Sequence, residues 1–412
     1  MRRYRIRRQV CWHCEKSLSA VLYISYDGML EPLGQSQVLA YVEQLAGEHD
    51  VHLISFEKER DRSDRARMAA MKERLVRSGI RWTPLAYHKT PTAPATAYDI
   101  SIGTATALAI ALRHKIRIVH ARSYVPALMA LAVKKMTGAK FLFDMRGFWA
   151  DERTDGGLWP EGGRLWRATK KLERRFLLAA DHVVTLTHAS KRIIEGFDYL
   201  QGRVPPVSVI PTCADLDRFC PQPTDPNRPF TFGYVGSVGT WYLFDETLAF
   251  FKALTRAKPD ARLLVVNRNG HEVIRNAVAK AGIEPELLEI TAADHREVPA
   301  LIGRMHAAGA VIKPCFSKLA SAPTKLAEYL GCGVPCVGNT GVGDMEEILE
   351  GNQVGVALTD FSPDDMTASV DRLVSITNDS STSGRCVETA RRLFSLDGGV
   401  KDYRQIYQAL SR

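Results

Sequence analysis

Residues 321–339 read SAPTKLAEYLGCGVPCVGN, and the order of residue types in this stretch decides the kind of domain around it. Pro323 can open a helix, because first-turn N–H groups have no internal acceptor and a missing one costs nothing. Gly333 closes that helix, and VPCVGN (334–339) returns at once as a short apolar strand. AGAVIKP (308–314) supplies a strand before it. Strand, helix and strand in this order form the crossover of a parallel sheet.

The same alternation extends in both directions. VLYIS (21–25), VHLISF (51–56), IRWTPL (80–85), IRIVHAR (116–122), KFLFDMRG (140–147) and HVVTLT (182–187) read as strands, with helical patterns at 36–48, 62–78, 99–114 and 163–180 between them. A stretch with seven prolines in 29 residues, 201–229, interrupts the pattern and contains one strand. The alternation then restarts with FTFGYVGS (230–237), ARLLVVNR (261–268) and LLEITA (287–292), and closes with VGVALT (354–359). The expected class is α/β, with two Rossmann-like doubly wound domains facing across a cleft. The expected boundaries are an unstructured extension over 1–19, a first domain over 20–205, a hinge over 206–229, a second domain over 230–395, and a terminal helix over 396–412 that packs back on the first domain. A length of 412 residues fits two cores.

Composition narrows the functional class. The chain is 45% hydrophobic and 25% charged, as an ordinary globular protein is. Of the net charge of +9, five units fall within residues 1–20, so the folded part is only mildly basic and nucleic acid is not the expected partner. Phosphorylated ligands or an anionic membrane surface suit that balance. Glu15 and Lys16 interrupt the basic N-terminus before any apolar core of a signal peptide, and ISIGTATALAIAL (100–112) is shorter than the roughly 20 residues of a spanning helix. A cytoplasmic protein is expected, with peripheral contact at the inner face of the plasma membrane compatible with its charge. Eight scattered cysteines suggest reduced thiols. Cys11 and Cys14 alone have metal-like spacing, without a second pair, so no metal and no cofactor is expected.

The chemistry centres on the opening stretch. Free N–H groups near Thr324 and Lys325, with the helix dipole behind them, make an anion site to which Lys325 adds full charge. Glu328 lies about one turn, ~5–6 Å, deeper on the same face, where it can accept hydrogen bonds from a ribose diol. The alternative is a solvated Glu328 paired with Lys325. GVG (341–343) forms a second glycine loop, and Asp344 with Glu347 reads as a capping box opening the next helix.

These motifs resemble those of the retaining family 4 nucleotide-sugar glycosyltransferases of the GT-B fold. The likeness covers roughly residues 20–412. Its carriers are YDGMLEPLGQSQ (26–37), VIPTCADLDRF (209–219), GYVGSVG (233–239) and SAPTKLAEYLGCGVPCVGN. The resemblance implies transfer of a sugar from a nucleotide-diphosphate donor to a hydroxyl of a saccharide or lipid-linked saccharide, in cell-envelope or exopolysaccharide synthesis. It puts the donor against Gly34, Gly236, Ser237, Ser321, Thr324, Lys325 and Glu328; Arg268 at a strand end and Lys318 before the key helix are further candidate cations for the leaving diphosphate. In the first domain, Asp144 and Arg146 end a strand on one side of an extended chain and would position the acceptor or balance charge, with Arg122 beside them and a structural ion pair as the alternative. Lys325, Asp144 and Arg146 are the catalytic candidates.

Two departures from the family pattern stand out. Ala320 occupies the place of a sugar-side glutamate eight residues before Glu328, and Ser237 and Tyr242 stand near the family's usual Arg and Lys. Rival readings are an epimerase or hydrolase using Asp144 with Asp151 or Glu152, and a nucleotide-sugar binder without turnover. Asp215 and Asp217 sit in the hinge and are not expected to hold metal.

Overall fold

The computed structural model describes residues 19–223, 228–294 and 296–412; the extension carrying Cys11 and Cys14 lies outside the described residues. Seven strands form the first sheet: β1 (Ser19–Ser25), β2 (His49–Glu57), β3 (Arg81–Ala86), β4 (Ile118–Arg122), β5 (Lys140–Asp144), β6 (His182–Thr185) and β7 (Val207–Val209). Six form the second: β8 (Thr231–Val235), β9 (Arg262–Val266), β10 (Leu288–Thr291), β11 (Ala307–Gly309), β12 (Cys336–Asn339) and β13 (Gly355–Leu358). Every strand pair is parallel, in the orders 3-2-1-4-5-6-7 and 10-9-8-11-12-13.

The near-continuous apolar runs of the sequence are explained by this topology. Helices cover both faces of a parallel sheet, so its central strands are buried on both sides. In β1, Val21 pairs with Val51 on one side and Ile118 on the other, and Val21, Leu22 and Ile24 are wholly buried. Strand order reverses between β1 and β4 and again between β8 and β11. Ligands of such sheets bind outside the carboxyl ends of the strands at these reversals. The α/β class with two sheets is the one expected from the sequence. One expected boundary shifts: Val207–Val209, within the proline-rich stretch read as hinge, pairs with β6 and completes the first sheet.

The chain's last helix, Leu396–Leu410, follows the second sheet in sequence but packs on the first. Val400, Tyr403, Ile406 and Tyr407 join Val21, Ile118, Leu142 and Val184 in one buried cluster. The Tyr407 hydroxyl lies 2.8 Å from His120 Nδ1, and the Tyr403 hydroxyl donates to Asp144 Oδ2 at 3.1 Å. This crossing ties the two halves together.

The longest helix, Thr92–His114, has 23 residues and is long and apolar enough to cross a membrane by length and composition. It begins seven residues before the helical pattern expected over 99–114. Here it lies along the first sheet, turning Asp99, Gly103, Ala107 and Ala111 inward.

Removing the Tyr407 ring opens a large void beneath the crossing helix, so Tyr407→Ala should cost about 3–5 kcal/mol. Urea unfolding followed by circular dichroism measures it, and a loss below about 1 kcal/mol would show that the helix is not part of the first core.

Candidate active site

The segment 321–339 folds as its residue order predicts, with a helix over Thr324–Gly331, Pro323 at its N-cap and Gly333 at φ +76° just past its end. Its start divides the space between the two halves. On one side, a cavity of about 890 Å³ is lined by Gln35, Ser36, Asp215, Arg218, Arg268, Asp294, Thr324 and Glu328. On the other, a smaller cavity of about 350 Å³ takes Ser321, Pro323 and Leu326, with Thr187, Asp344 and Arg392. The larger cavity contains the loops after β1, β9 and β10, which is the ligand-binding end of both sheets. Thr324, Glu328 and Arg268 therefore meet where the sequence put them, whereas Ser321 opens on the opposite side.

Lys325 departs most from expectation. Its side chain does not project from the helix start into the larger cavity, and the residue is only 6% exposed. Its Nζ lies 3.7 Å from the ring centre of Tyr242 and 4.2 Å from that of Tyr234, and has no hydrogen-bond partner among the described residues. Burial pulls its pKa from 10.5 down to about 7, against the opposing pull of Cys336 and Glu328. Glu328 is partly open to the cavity, yet burial pushes its carboxyl up to about 7, offset in part by Lys325 and Arg218. Neither group forms a salt bridge with the other that would fix both charges. The pair is poised to change protonation near neutrality, as groups at functional sites commonly are.

The loop after β8 holds this arrangement. The Tyr234 hydroxyl donates to the Ser237 carbonyl at 2.5 Å, and Asn267 Nδ2 donates to the Gly236 carbonyl at 2.8 Å. Gly236 takes φ +113°, a backbone conformation that favours glycine, and a Cβ there would make an ordinary contact with Lys325 Nζ at 3.6 Å. In the sequence Tyr242 marks only the absence of a cation. The signal missed there is three aromatic residues, Tyr234, Trp241 and Tyr242, within ten positions. Two adjacent rings each receive a lysine from the segment 318–325: Tyr242 takes Lys325, and Trp241 takes Lys318 at 3.8 Å. Cations seek the negative faces of such rings.

Lys318 also pairs with Glu152 of the first half at 2.8 Å. Around that pair the halves touch directly. Ser317 N donates to Asp155 Oδ2 at 2.9 Å, Phe316 stacks on Phe148 at 5.2 Å, and Thr187 Oγ1 donates to the Leu319 carbonyl at 2.6 Å. Ala320 is 1% exposed within the first half's core cluster, so a glutamate there would be buried in the contact. A carboxylate at this position would carry a desolvation cost. Asp344 does not cap its own helix with Glu347; its carboxylate accepts from His188 N and Ala189 N at 2.6 and 2.9 Å, capping a helix of the other half.

Three expectations in the first half need correction. Asp144 is wholly buried beneath Tyr403 and cannot reach an acceptor. Burial alone would raise its pKa, but Arg146, His120 and Arg122 hold it below the ordinary range, so it is the anion of a buried cluster. Arg146, at 3.8 Å from Asp144, is its counter-ion. Gly34 is required by packing rather than by a ligand, because a Cβ there would lie 2.0 Å from the Gly28 carbonyl oxygen. The carboxylate pair of the rival enzyme is also engaged: Asp151 accepts from Trp166 and Lys170, and Glu152 holds Lys318. In the hinge, Asp215 Oδ1 accepts from the backbone of Asp217 and Arg218, an ordinary turn cap.

Residues 34–218 match the family described as Glycosyltransferase Family 4, and residues 218–393 match Glycosyl transferases group 1. The two matches adjoin and together span most of the chain, which belongs to this family of GT-B glycosyltransferases. No curated protein sequence matches it. Among solved structures, a glycosyltransferase from Rickettsia africae is similar, with 16% identity and a TM-score of 0.71 over 96% of this chain and 99% of that one. HepE of Anabaena, solved in complex with UDP, has 12% identity and a TM-score of 0.68 over 95% and 100%. Sucrose-phosphate synthase of Thermosynechococcus elongatus has 12% identity and a TM-score of 0.69 over 95% and 99%. At these identities the likeness is one of fold.

Asp144→Asn leaves the buried Arg122 with Asp27 alone and the half-buried Arg146 without its anion, and should destabilise the protein by about 3 kcal/mol. Chemical denaturation measures the loss. An unchanged stability with abolished transfer would return Asp144 to the catalytic set.

Proposed function

We propose that the protein transfers a sugar from a nucleotide-diphosphate donor to an acceptor hydroxyl, with retention at the anomeric carbon. The observation that carries this reading is the unpartnered amine of Lys325, held by Tyr234 and Tyr242 beside Gly236 and one turn from Glu328. A buried cation without an anion lacks the partner that ordinarily offsets its desolvation. A diphosphate supplies that partner, and its ribose then reaches Glu328. As the bond to the sugar breaks, negative charge grows on the leaving diphosphate; the first-turn N–H groups at Thr324 open on the cavity to receive it, and Lys325 adds positive charge from behind Tyr234 and Tyr242. Lys325 thus takes the part of the cations missing at Ser237 and Tyr242. Arg268, exposed and paired with Asp294 at 3.0 Å, lies at the cavity wall, where it suits the nucleotide rather than the leaving group.

The acceptor in this reading is a saccharide or lipid-linked saccharide of envelope or exopolysaccharide synthesis, met on the cytoplasmic side. The UDP found in HepE makes uridine nucleotides the first donors to try. A thermal-shift screen of nucleotide diphosphates and their sugars tests the site. A ligand at a hundred times its Kd should add about 2.7 kcal/mol of stability. The absence of a shift with every nucleotide would overturn the reading. With a responding donor, NMR of the product gives the anomeric configuration, and Lys325→Met should lower transfer by about a hundredfold or more with the fold intact.

The two shifted groups also predict a pH profile. A bound diphosphate favours charged Lys325, so affinity should fall as pH rises above about 7, where the free amine has lost its proton. A bound ribose favours ionised Glu328, so affinity should fall as pH drops below about 7. Calorimetric titration should therefore find the tightest binding close to neutrality, with Lys325→Met removing the alkaline fall and Glu328→Gln the acid one. A profile that both variants leave unchanged would assign the titrations elsewhere.

A further inference from the structure

The helix Thr92–His114 buries one face and leaves much of the other open to solvent, with Tyr98 edge-on to His88 at its start. Inward, Gly103 meets Met129 and Phe56 so closely that any side chain would clash. Outward, Tyr98 is 56% exposed, Ile102 41% and Leu112 63%. At 3.6 residues per turn the three fall within an arc of about 80°, one face of the helix. From 100 to 112 the helix has no charged residue, and only 28% of its most apolar 18-residue window is buried. A surface helix ordinarily carries charge on the face it turns to water.

A cationic strip lies on the same side of the first sheet. The helices Thr92–His114 and Arg164–Ala179 both pack against the helix Tyr124–Thr137 and share its core cluster. Arg164–Ala179 exposes Arg167, Lys171 and Arg174. Its one acidic residue, Glu173, is buried, 2.6 Å from Lys170 and hydrogen-bonded to Tyr124. The exposed charge of this helix is therefore entirely positive.

We propose that this face, apolar along one helix and basic along the other, docks the protein on an anionic lipid bilayer. The apolar stripe enters the headgroup boundary, and the basic strip meets the negative surface potential, which acts within about 10 Å at 0.1 M salt. A second copy is the poorer occupant, because a two-fold contact brings the same patch to itself and would lay like charges together. The helix Thr92–His114 begins just after the carboxyl end of β3, at the cleft end of the sheet, so the stripe starts close to where an acceptor would enter. The proposal deepens the lipid-linked acceptor reading, although its physics does not require transfer.

Co-sedimentation of the full chain with vesicles tests it, comparing phosphatidylcholine alone with equal parts of phosphatidylcholine and phosphatidylglycerol. Binding should appear only with the anionic lipid and weaken as salt rises. The triple variant Arg167→Glu, Lys171→Glu, Arg174→Glu should bind roughly a hundredfold more weakly, and Ile102→Asp with Leu112→Asp about tenfold more weakly. Circular dichroism and the nucleotide thermal shift should be unchanged in both. No binding to anionic vesicles overturns the proposal. So does binding that neither variant alters, which would assign it to another surface such as the arginine-rich residues 2–8. A dimer in solution that Ile102→Asp dissociates would make the face a self-interface instead. Loss of the nucleotide shift in the unmodified protein would sink the donor reading while leaving the vesicle result to stand or fall alone.

Discussion

Two parallel sheets make a common cleft only if their carboxyl ends are held toward one another, and here the chain's return in Leu396–Leu410 does much of that holding. The helix brings Tyr403 and Tyr407 against Asp144 and His120 at the centre of the first sheet. Burying Asp144 is tolerable because Arg122 and Arg146 lie within 4 Å and a phenol donates to it. Burial also keeps His120 neutral by pulling its pKa down. A charged cluster that resembles catalytic machinery in one dimension is thus the anchor of the architecture in three.

The site follows a different rule. At the anchor Asp144 has two arginines within ion-pair distance, whereas Lys325 is buried against aromatic faces and forms no ion pair among the described residues. Its lowered pKa and the raised pKa of Glu328 both arise from lost hydration, and both would move back if a ligand gave the two groups charged or polar partners. The contact between the halves that surrounds Lys318, Trp241 and Phe316 has a complementary effect. It buries position 320, where a carboxylate would carry a desolvation cost.

Much of the fold was readable in advance because buried parallel strands need continuous apolar runs, and thirteen such segments are punctuated by glycine, proline and helical periodicity. Thr324 and Glu328 were readable for a related reason: a proline-opened helix announces its start, and side chains four apart share a face. Asp144 misled because a strand end at the cleft gives no hint of a helix 250 residues later covering it. Gly34 misled because a glycine needed for backbone contact with Gly28 looks the same in sequence as one needed for a ligand.

What the sequence determined by itself was local: the order of strands and helices, the helix start at Pro323, and the depth of Glu328 below it. Tertiary structure alone decided which charges are matched. Whether Lys325 reaches into solvent or slides between Tyr234 and Tyr242 depends on residues 83 to 91 positions away meeting across a sheet. Desolvation and ion pairing depend on distances in space, and spacing along the chain does not encode them.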